Sequence, residues 1–242
     1  MCINDRVCGV DLSDVLEYHI AHNAGITLVC TAGTQGAVML SADENGRLQK
    51  ASHGGEGEWI FNNMYIINRE LLIQLAAEAA SLNQYSFVDT CLIRKGRELP
   101  IYCYRYEGFC RAASSMQAYY EISMRLLDPA IRGELFPKDR PVYTRVQDEV
   151  QVEYGLSAAV ANSLLADGCI IEGQVENCIV FRGVRIGHGA VVKNSIIMQG
   201  SYIGNGANLA YCICDKGVLI ADNRRLAGYA SYPLYLPRDT RV

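Results

Sequence analysis

From Val180 to Leu209 the sequence repeats on a period of six. Val180, Ile186 and Val192 share one frame, and Ile197, Ile203 and Leu209 share a second, one residue out of step. Leu165 and Ile171 begin an earlier frame. Gly, Asn or Asp stands near each aliphatic position, and a small residue tends to come two before the next. This period matches neither a helix nor an alternating strand, and it is the hexapeptide signature of a parallel β-helix. Each unit supplies one short strand and one corner of a triangular coil, with the aliphatic side chain pointing into the prism and Gly or Asn relieving strain at the corner. One coil cannot bury its own interior, so the coils stack. The change of frame predicts a loop or bulge between coils. The competing reading, chance alternation in an all-β sandwich, does not explain two clean runs of the same period.

The first half, to about Asp128, obeys different rules. "DLSDVLEYHIAHNAG" opens with a capping Asp11, puts Leu12, Val15, Leu16, His19 and Ile20 on one helical face, and stops at Gly25. "ITLVC" follows as a strand. Two extended runs flank Asn45-Gly46, a hairpin signal. "WIFNNMYIIN" reads as a buried strand, and Asn68 caps the helix "RELLIQLAAEAAS". "SFVDTCLIRKG" is a short helix ending at Gly96, "PIYCYRY" a strand, and Ser114 or Ser115 caps "MQAYYEISMRLL". The order βαβββαβα fits an α/β or mixed sheet covered by helices. The segment 129–157, with three prolines, many charges and no sustained period, reads as a linker. The expected division is thus 1–128 for the α/β part, 129–157 for the linker and 158–242 for the β-helix.

At 242 residues, 50% apolar and 20% charged, the chain can bury a real core. Its net charge of −4 offers no general attraction to nucleic acid or an anionic membrane. No apolar run is long enough to span a bilayer and no segment resembles a signal peptide. The ten cysteines sit inside apolar runs and form no C-x-x-C pair, so they are read as reduced, buried thiols of a cytoplasmic protein.

Residues 108–115, GFCRAASS, join a strand to a helix, the place where α/β enzymes put their chemistry. Apart from Cys110, nothing there can ligate a metal or move a proton at neutral pH. No phosphate-binding glycine motif occurs elsewhere, and "SHGGEGEW" is a loop between strands. His188, in "RIGHGAV", is a candidate general base, because hexapeptide acyltransferases use a histidine on the β-helix; the plainer reading is a solvated corner residue. His19 and His22 are structural or exposed. Arg182, Arg185, Lys216, Arg224 and Arg225 make the β-helix locally basic, either as a solvated face or as a place for a phosphorylated effector.

The run "ENCIVFRGVRIGHGAVVKNSIIMQGSYIGNGANL" resembles the C-terminal domain of glucose-1-phosphate adenylyltransferases. "FPKDRPVYTR", "DVLEYHIAHNAGITL", "ADENGRL" and "MYIIN" are also similar to segments of that family. The resemblance implies a nucleotidyltransferase-like α/β domain followed by a left-handed parallel β-helix of hexapeptide repeats. It implies ATP and magnesium for the family's catalytic subunit. It also implies an effector, a sugar phosphate or another anion, with Lys216 near a family effector lysine and Arg224 and Arg225 close behind.

The departures carry as much information. Where the family has Gly-aromatic-Trp-x-Asp-aliphatic-Gly-Thr, Gly108 and Phe109 match, Cys110 replaces Trp, Ala112 replaces the metal-binding Asp, and Ser114-Ser115 replace Gly-Thr. The family's second metal carboxylate aligns with Asp5, whose neighbours Asn4 and Arg6 do not match, so Asp5 is vestigial. "QKASHGG" stands where a sugar-phosphate lysine belongs, Phe61-Asn62-Asn63 replace Ser-Met-Gly, and Ser86-Phe87-Val88 replace Asp-Phe-Gly. The family's Gly-rich nucleotide loop would lie before the segment matching Met1, so the α/β part is N-terminally incomplete, as a truncated product or as a sheet completed by another chain.

The pattern resembles the non-catalytic partner subunit of the GlgD type. The chain is therefore expected to have no catalytic residue and to bind no cofactor by itself. Its expected partners are a catalytic adenylyltransferase subunit, further copies of itself and a sugar-phosphate effector, with no nucleic acid and no membrane. Two other readings stay open: an active adenylyltransferase completed by a partner chain, and a hexapeptide acyltransferase using His188. Ala112 argues against the first, and the long α/β half with its family-like linker against the second.

Overall fold

In the computed structural model, which describes residues 6–144 and 150–242, the six-residue period becomes three five-stranded parallel sheets. Their fifteen strands run from β8 (Glu153–Tyr154) to β22 (Leu234–Leu236). One sheet stacks Tyr154, Ile171, Ile186, Ile203 and Ile220 in register. The second stacks Val160, Val175, Val192, Leu209 and Leu226. The third stacks Leu165, Val180, Ile197, Cys214 and Leu236. From Ile171 to Ile220 these side chains form one buried core inside the prism. Burying each aliphatic group there contributes about 1.5–3 kcal/mol.

The frame slip is not the interruption expected from the sequence. Ile186, Ile203 and Ile220 are 17 positions apart, one residue short of three hexapeptides, and Val192, Leu209 and Leu226 keep the same step. The missing residue is lost at the same corner of each coil, where Asn162, Asn177, Asn194 and Tyr211 take positive φ of 42°, 52°, 48° and 54°. A left-handed residue turns the chain in fewer positions, and asparagine tolerates it because its amide bonds locally. Here the amides form a ladder, with Asn162 Nδ2 donating to Asn177 Oδ1 at 2.7 Å and Asn177 Nδ2 to Asn194 Oδ1 at 3.2 Å. Behind the ladder, Ser163 Oγ accepts from Cys178 N and Ser195 Oγ from Cys212 N, each at 3.0 Å.

The α/β part opens with β1 (Arg6–Cys8) and α1 (Leu12–Ala21). Its five-stranded sheet has the order β4 (Leu48–His53), β3 (Val38–Ala42), β5 (Trp59–Ile67), β2 (Ile26–Ala32), β6 (Ile101–Arg105). β2 and β6 are parallel, and the other neighbours antiparallel. α2 (Arg69–Ser81) and a π-helical turn over Val88–Arg94 complete it. The expected hairpin forms, headed by Asp43, whose Oδ1 accepts from Asn45 N at 3.0 Å and Arg47 N at 2.8 Å.

Three local expectations differ from the structure. On α1 only Val15 and His19 are buried, while Leu12, Leu16 and Ile20 are 63%, 47% and 68% exposed. A helix on a single sheet buries a narrow stripe, so the full apolar face is not consumed. Asn68 occupies the N-cap of α2 without a side-chain cap, because its amide is used elsewhere: Oδ1 lies 3.0 Å from His19 Nε2 and Nδ2 donates to Ala24 O at 3.1 Å. In β5 only Phe61 and Asn62 are buried, so it is not the wholly buried strand its composition suggests.

The chain divides into two compact units, one ending at Cys110 and the other spanning Arg111–Val242. α3 (Met116–Arg125) and α4 (Pro129–Leu135) belong to the second. The Tyr120 side chain packs on Ile196 and Ile213, outward neighbours on the third sheet of the β-helix, and its hydroxyl donates to Asn194 O at 2.7 Å. Burial pushes that phenol up to about 12. α4 lies within the segment read as a linker. Asp128 caps it by accepting from Ala130 N at 2.9 Å, with Pro129 at the first helical position.

Candidate functional site

The strand-to-helix junction is well formed. β7 (Cys110–Ala112) leads to Ser115, whose Oγ accepts from Ala118 N at 3.0 Å and starts α3. Cys110 is buried and Ala112 half-buried. A methyl group cannot ligate a cation, so Ala112 removes one of the two carboxylates that the resemblance calls for. Asp5, the other, lies outside the described residues. Among the described residues no group of three or more His, Cys, Asp or Glu side chains could hold a metal ion. Magnesium in such sites is held by one or two carboxylates together with substrate phosphates and water, and the Ala112 side chain offers it no oxygen ligand.

The neighbouring segments are rebuilt around internal bonds. Arg6 Nη1 donates to Asn62 Oδ1 at 3.2 Å and Nη2 to Phe61 O at 3.5 Å. Asn62, 1% exposed, exchanges bonds with Thr31 Oγ1 at 3.3 and 3.4 Å. The amide in this position is consumed by the protein's own hydrogen bonds. At the other departure, Phe87 stacks on Tyr65 with ring centroids 4.2 Å apart. His53 Nε2 meets Asp89 Oδ1 at 2.7 Å. The Ser86 hydroxyl, and then His53, hold the Asp89 carboxyl below the usual carboxylate range. "QKASHGG" thus supplies His53 to a clasp with Asp89.

The basic residues of the β-helix do not converge on one point. Lys216 is at the corner between Cys214 and Leu219, and Arg224 is at the next corner, across the strand Leu219–Ile220. Beside Lys216, the Asp215 carboxyl accepts from Lys216 N at 2.7 Å and from Tyr235 Oη at 2.9 Å. The backbone bond, and then the tyrosine, lower its pKa. Arg224 O accepts from Asn208 N at 2.7 Å, and Arg225 begins the strand Arg225–Ala227.

His188 heads a column of corner residues. Its N–H donates to Asn205 Oδ1 at 2.9 Å, and Asn205 N in turn to Asp222 Oδ1 at 2.8 Å. Its Nδ1 lies 3.1 Å from Ser157 Oγ. This is how a turn is tied to the turn below it, not a base held by a carboxylate. Sequence reasoning missed the Arg6–Asn62–Thr31 cluster and the His53–Asp89 clasp, since both join residues far apart in the chain. The asparagine corner, by contrast, was readable as Asn162, Asn177 and Asn194 recurring beside the frame slip. The nine described cysteines are free thiols, buried except for half-buried Cys8. No helix among the described residues is long and apolar enough to cross a membrane.

Comparison with known proteins agrees with the fold. The GlmU-like C-terminal hexapeptide family matches residues 148–229. The glycogen biosynthesis protein GlgD of Bacillus subtilis is 43% identical over 173 residues, which are 72% of this chain and 50% of that protein. GlgD of Geobacillus stearothermophilus is 35% identical over 187 residues, 77% of this chain and 46% of the relative. The glucose-1-phosphate adenylyltransferase of the same organism is 29% identical over 201 residues, 78% and 51% of the two chains. The chain spans about half the length of the curated relatives it matches. Over roughly three quarters of its own length, then, this chain is a homologue of the GlgD glycogen biosynthesis proteins and glucose-1-phosphate adenylyltransferases, with a GlmU-like hexapeptide β-helix at its C-terminal end.

Proposed function

We propose that the chain serves as a non-catalytic, regulatory subunit in bacterial glycogen synthesis, assembling with a glucose-1-phosphate adenylyltransferase that performs the chemistry on ATP and glucose 1-phosphate. The observation that carries this reading is the pairing of GlgD similarity with Ala112 at the position of a metal carboxylate. Phosphoryl-type transfer needs a cation to bridge the phosphates and offset developing charge. A chain short of one ligand leaves that task to its partner. Hexapeptide β-helices and adenylyltransferase relatives suggest oligomerisation. In this reading the stacked coils provide the assembly surface, and the complex works in the cytoplasm.

A subunit without chemistry acts by favouring one state of its partner through contacts that differ between states. Lys216 at its corner, with Arg224 at the next and Arg225 following it, would then answer an anionic effector such as a sugar phosphate. The test is to mix this chain with a catalytic adenylyltransferase subunit and follow pyrophosphate release under effector titration. Alone, the chain should release none at ordinary enzyme rates of roughly 1–10³ per second. In the complex, Lys216→Ala should weaken effector response about tenfold to a hundredfold and leave unstimulated activity alone. Turnover by the chain alone would instead favour an active adenylyltransferase.

A further inference from the structure

One cleft of the α/β unit lies apart from the strand-to-helix junction and the basic corners of the β-helix. It has a volume of about 420 Å³ and lies between the end of α1, the β3–β4 turn and β6. Its wall is aromatic. Tyr18 stacks on His22 with ring centroids 4.0 Å apart and meets Tyr104 edge-on at 5.5 Å. Its rim is polar, formed by Glu44, Asn45 and Arg105.

The wall is fixed before any ligand arrives. Tyr18 Oη donates to Cys103 O at 3.2 Å, and His22 Nδ1 bonds Tyr18 O at 2.9 Å. The turn is anchored to β6 by Cys103 N donating to Gly46 O at 2.7 Å. Gly46 has φ +80°, and a Cβ there would collide with the Tyr18 hydroxyl, so only glycine lets turn and ring come this close. The rim, by contrast, is uncommitted. Among the described residues neither the Glu44 carboxylate, the Asn45 side-chain amide nor the Tyr104 hydroxyl has a hydrogen-bond partner within the protein. Arg105 stacks over Trp59 at 4.8 Å and donates only a long bond, 3.5 Å, to Asp43 O.

These features select a ligand class. Glu44 and Arg105 oppose each other in charge, and the nearby Asp11 and Asp14 carboxylates act on Tyr104, so the cleft offers no net attraction to an anion. A carboxylate, an amide, a phenol and a guanidinium together accept and donate in several directions. Aromatic faces are electron-rich and attract weakly polarised C–H groups. A neutral ring bearing hydroxyls on its edge and C–H bonds on its face satisfies both surfaces. We propose that this cleft binds a carbohydrate ring, with Tyr104 against its face, Tyr18 edge-on beside it, and Glu44, Asn45 and Arg105 on its hydroxyls. Choosing a glucan as the probe rests on the proposed role in glycogen synthesis; the carbohydrate class itself rests on the cleft.

The experiment titrates the full chain with maltotriose, with cellotriose, and with tetramethylammonium and inorganic phosphate as charged controls, followed by NMR of the tyrosine and histidine ring signals. Saturable shifts with a saccharide are expected at Tyr18, His22 and Tyr104, unchanged between about 50 and 500 mM salt because the ligand is neutral. Tyr104→Ala should weaken binding at least tenfold, Glu44→Gln severalfold, and Tyr104→Phe less than Tyr104→Ala, since the ring remains. Tyr104 is only half-buried, and an unchanged melting temperature will show that each variant is folded. No saturable shift with either saccharide, binding indifferent to both Tyr104→Ala and Glu44→Gln, or a response confined to tetramethylammonium or phosphate would each overturn the proposal. Co-purification of Tyr104→Ala with the adenylyltransferase subunit reports the regulatory reading separately, because that reading puts the assembly surface on the stacked coils and not on this cleft.

Discussion

The β-helix and the α/β unit bury comparable aliphatic side chains, yet they reach their cores by different logic. In the β-helix each buried residue repeats a neighbour one coil away. Ile186, Ile203 and Ile220 hold equivalent positions, and the same asparagine corner closes successive coils. Specification is local and repeated. In the α/β unit each contact is made once, between segments distant in the chain: His19 with Thr27 and Asn68, Arg6 with Asn62, His53 with Asp89. A repeat makes a fold easy to read and gives many equivalent places to damage it. A set of single contacts hides the fold from the sequence and makes tolerance depend on which contact is hit.

The sharpest way to break this contrast is Ile203→Asp. The substitution puts a carboxylate among aliphatic groups with no partner, and even with its pKa raised to stay neutral it should cost several kcal/mol, a large share of a domain's margin. Hydrogen exchange of the coils on either side should collapse together. Melting at the wild-type temperature would mean that the frame does not point inward.

A smaller effect follows from the thiols of the corner. Burial pushes the Cys178 thiol up to about 12 from an ordinary value near 9. The folded protein keeps this proton where the unfolded chain gives it up. The stabilisation is whole below about pH 9 and is lost as the pH climbs through about 12. At about pH 10.5 the loss is about 2 kcal/mol. Denaturant melts of wild type and Cys178→Ala across this range should differ in slope, the variant losing stability less steeply. Parallel slopes would show that the corner is open to water.

Asn177→Ala tests the corner directly. Alanine at a φ of 52° costs about 1–2 kcal/mol and also cuts the amide ladder, whereas Asn177→Gly should recover most of the backbone term. Equal midpoints for the two variants in a urea titration would rule out the left-handed corner as the source of the repeated one-residue deficit. The smallest effect belongs to the other unit. Leu16→Asp on the exposed side of α1 should change stability by no more than about 0.5 kcal/mol, against several for Ile203→Asp. A large loss at Leu16, read by thermal melting, would mean that this face of α1 is covered in solution.

What the sequence determined by itself follows from these periods. The stacked β-helix and its inward residues were legible, because a repeat states the same instruction several times. Much of the α/β unit was legible too, including the hairpin around Asn45-Gly46 and the Ser115 cap. Tertiary structure decided which face of each element was used. It left Leu16 and Ile20 exposed while burying His19, and turned Asn68 from a cap into a bridge between α1 and α2. It set Lys216 and Arg224 on different corners, and brought Tyr18, Tyr104 and Glu44 to one cleft. The physical reason is common to all four. Period and propensity specify a local backbone, but which side chains are buried or meet depends on partners remote in sequence, which only the folded chain brings within reach.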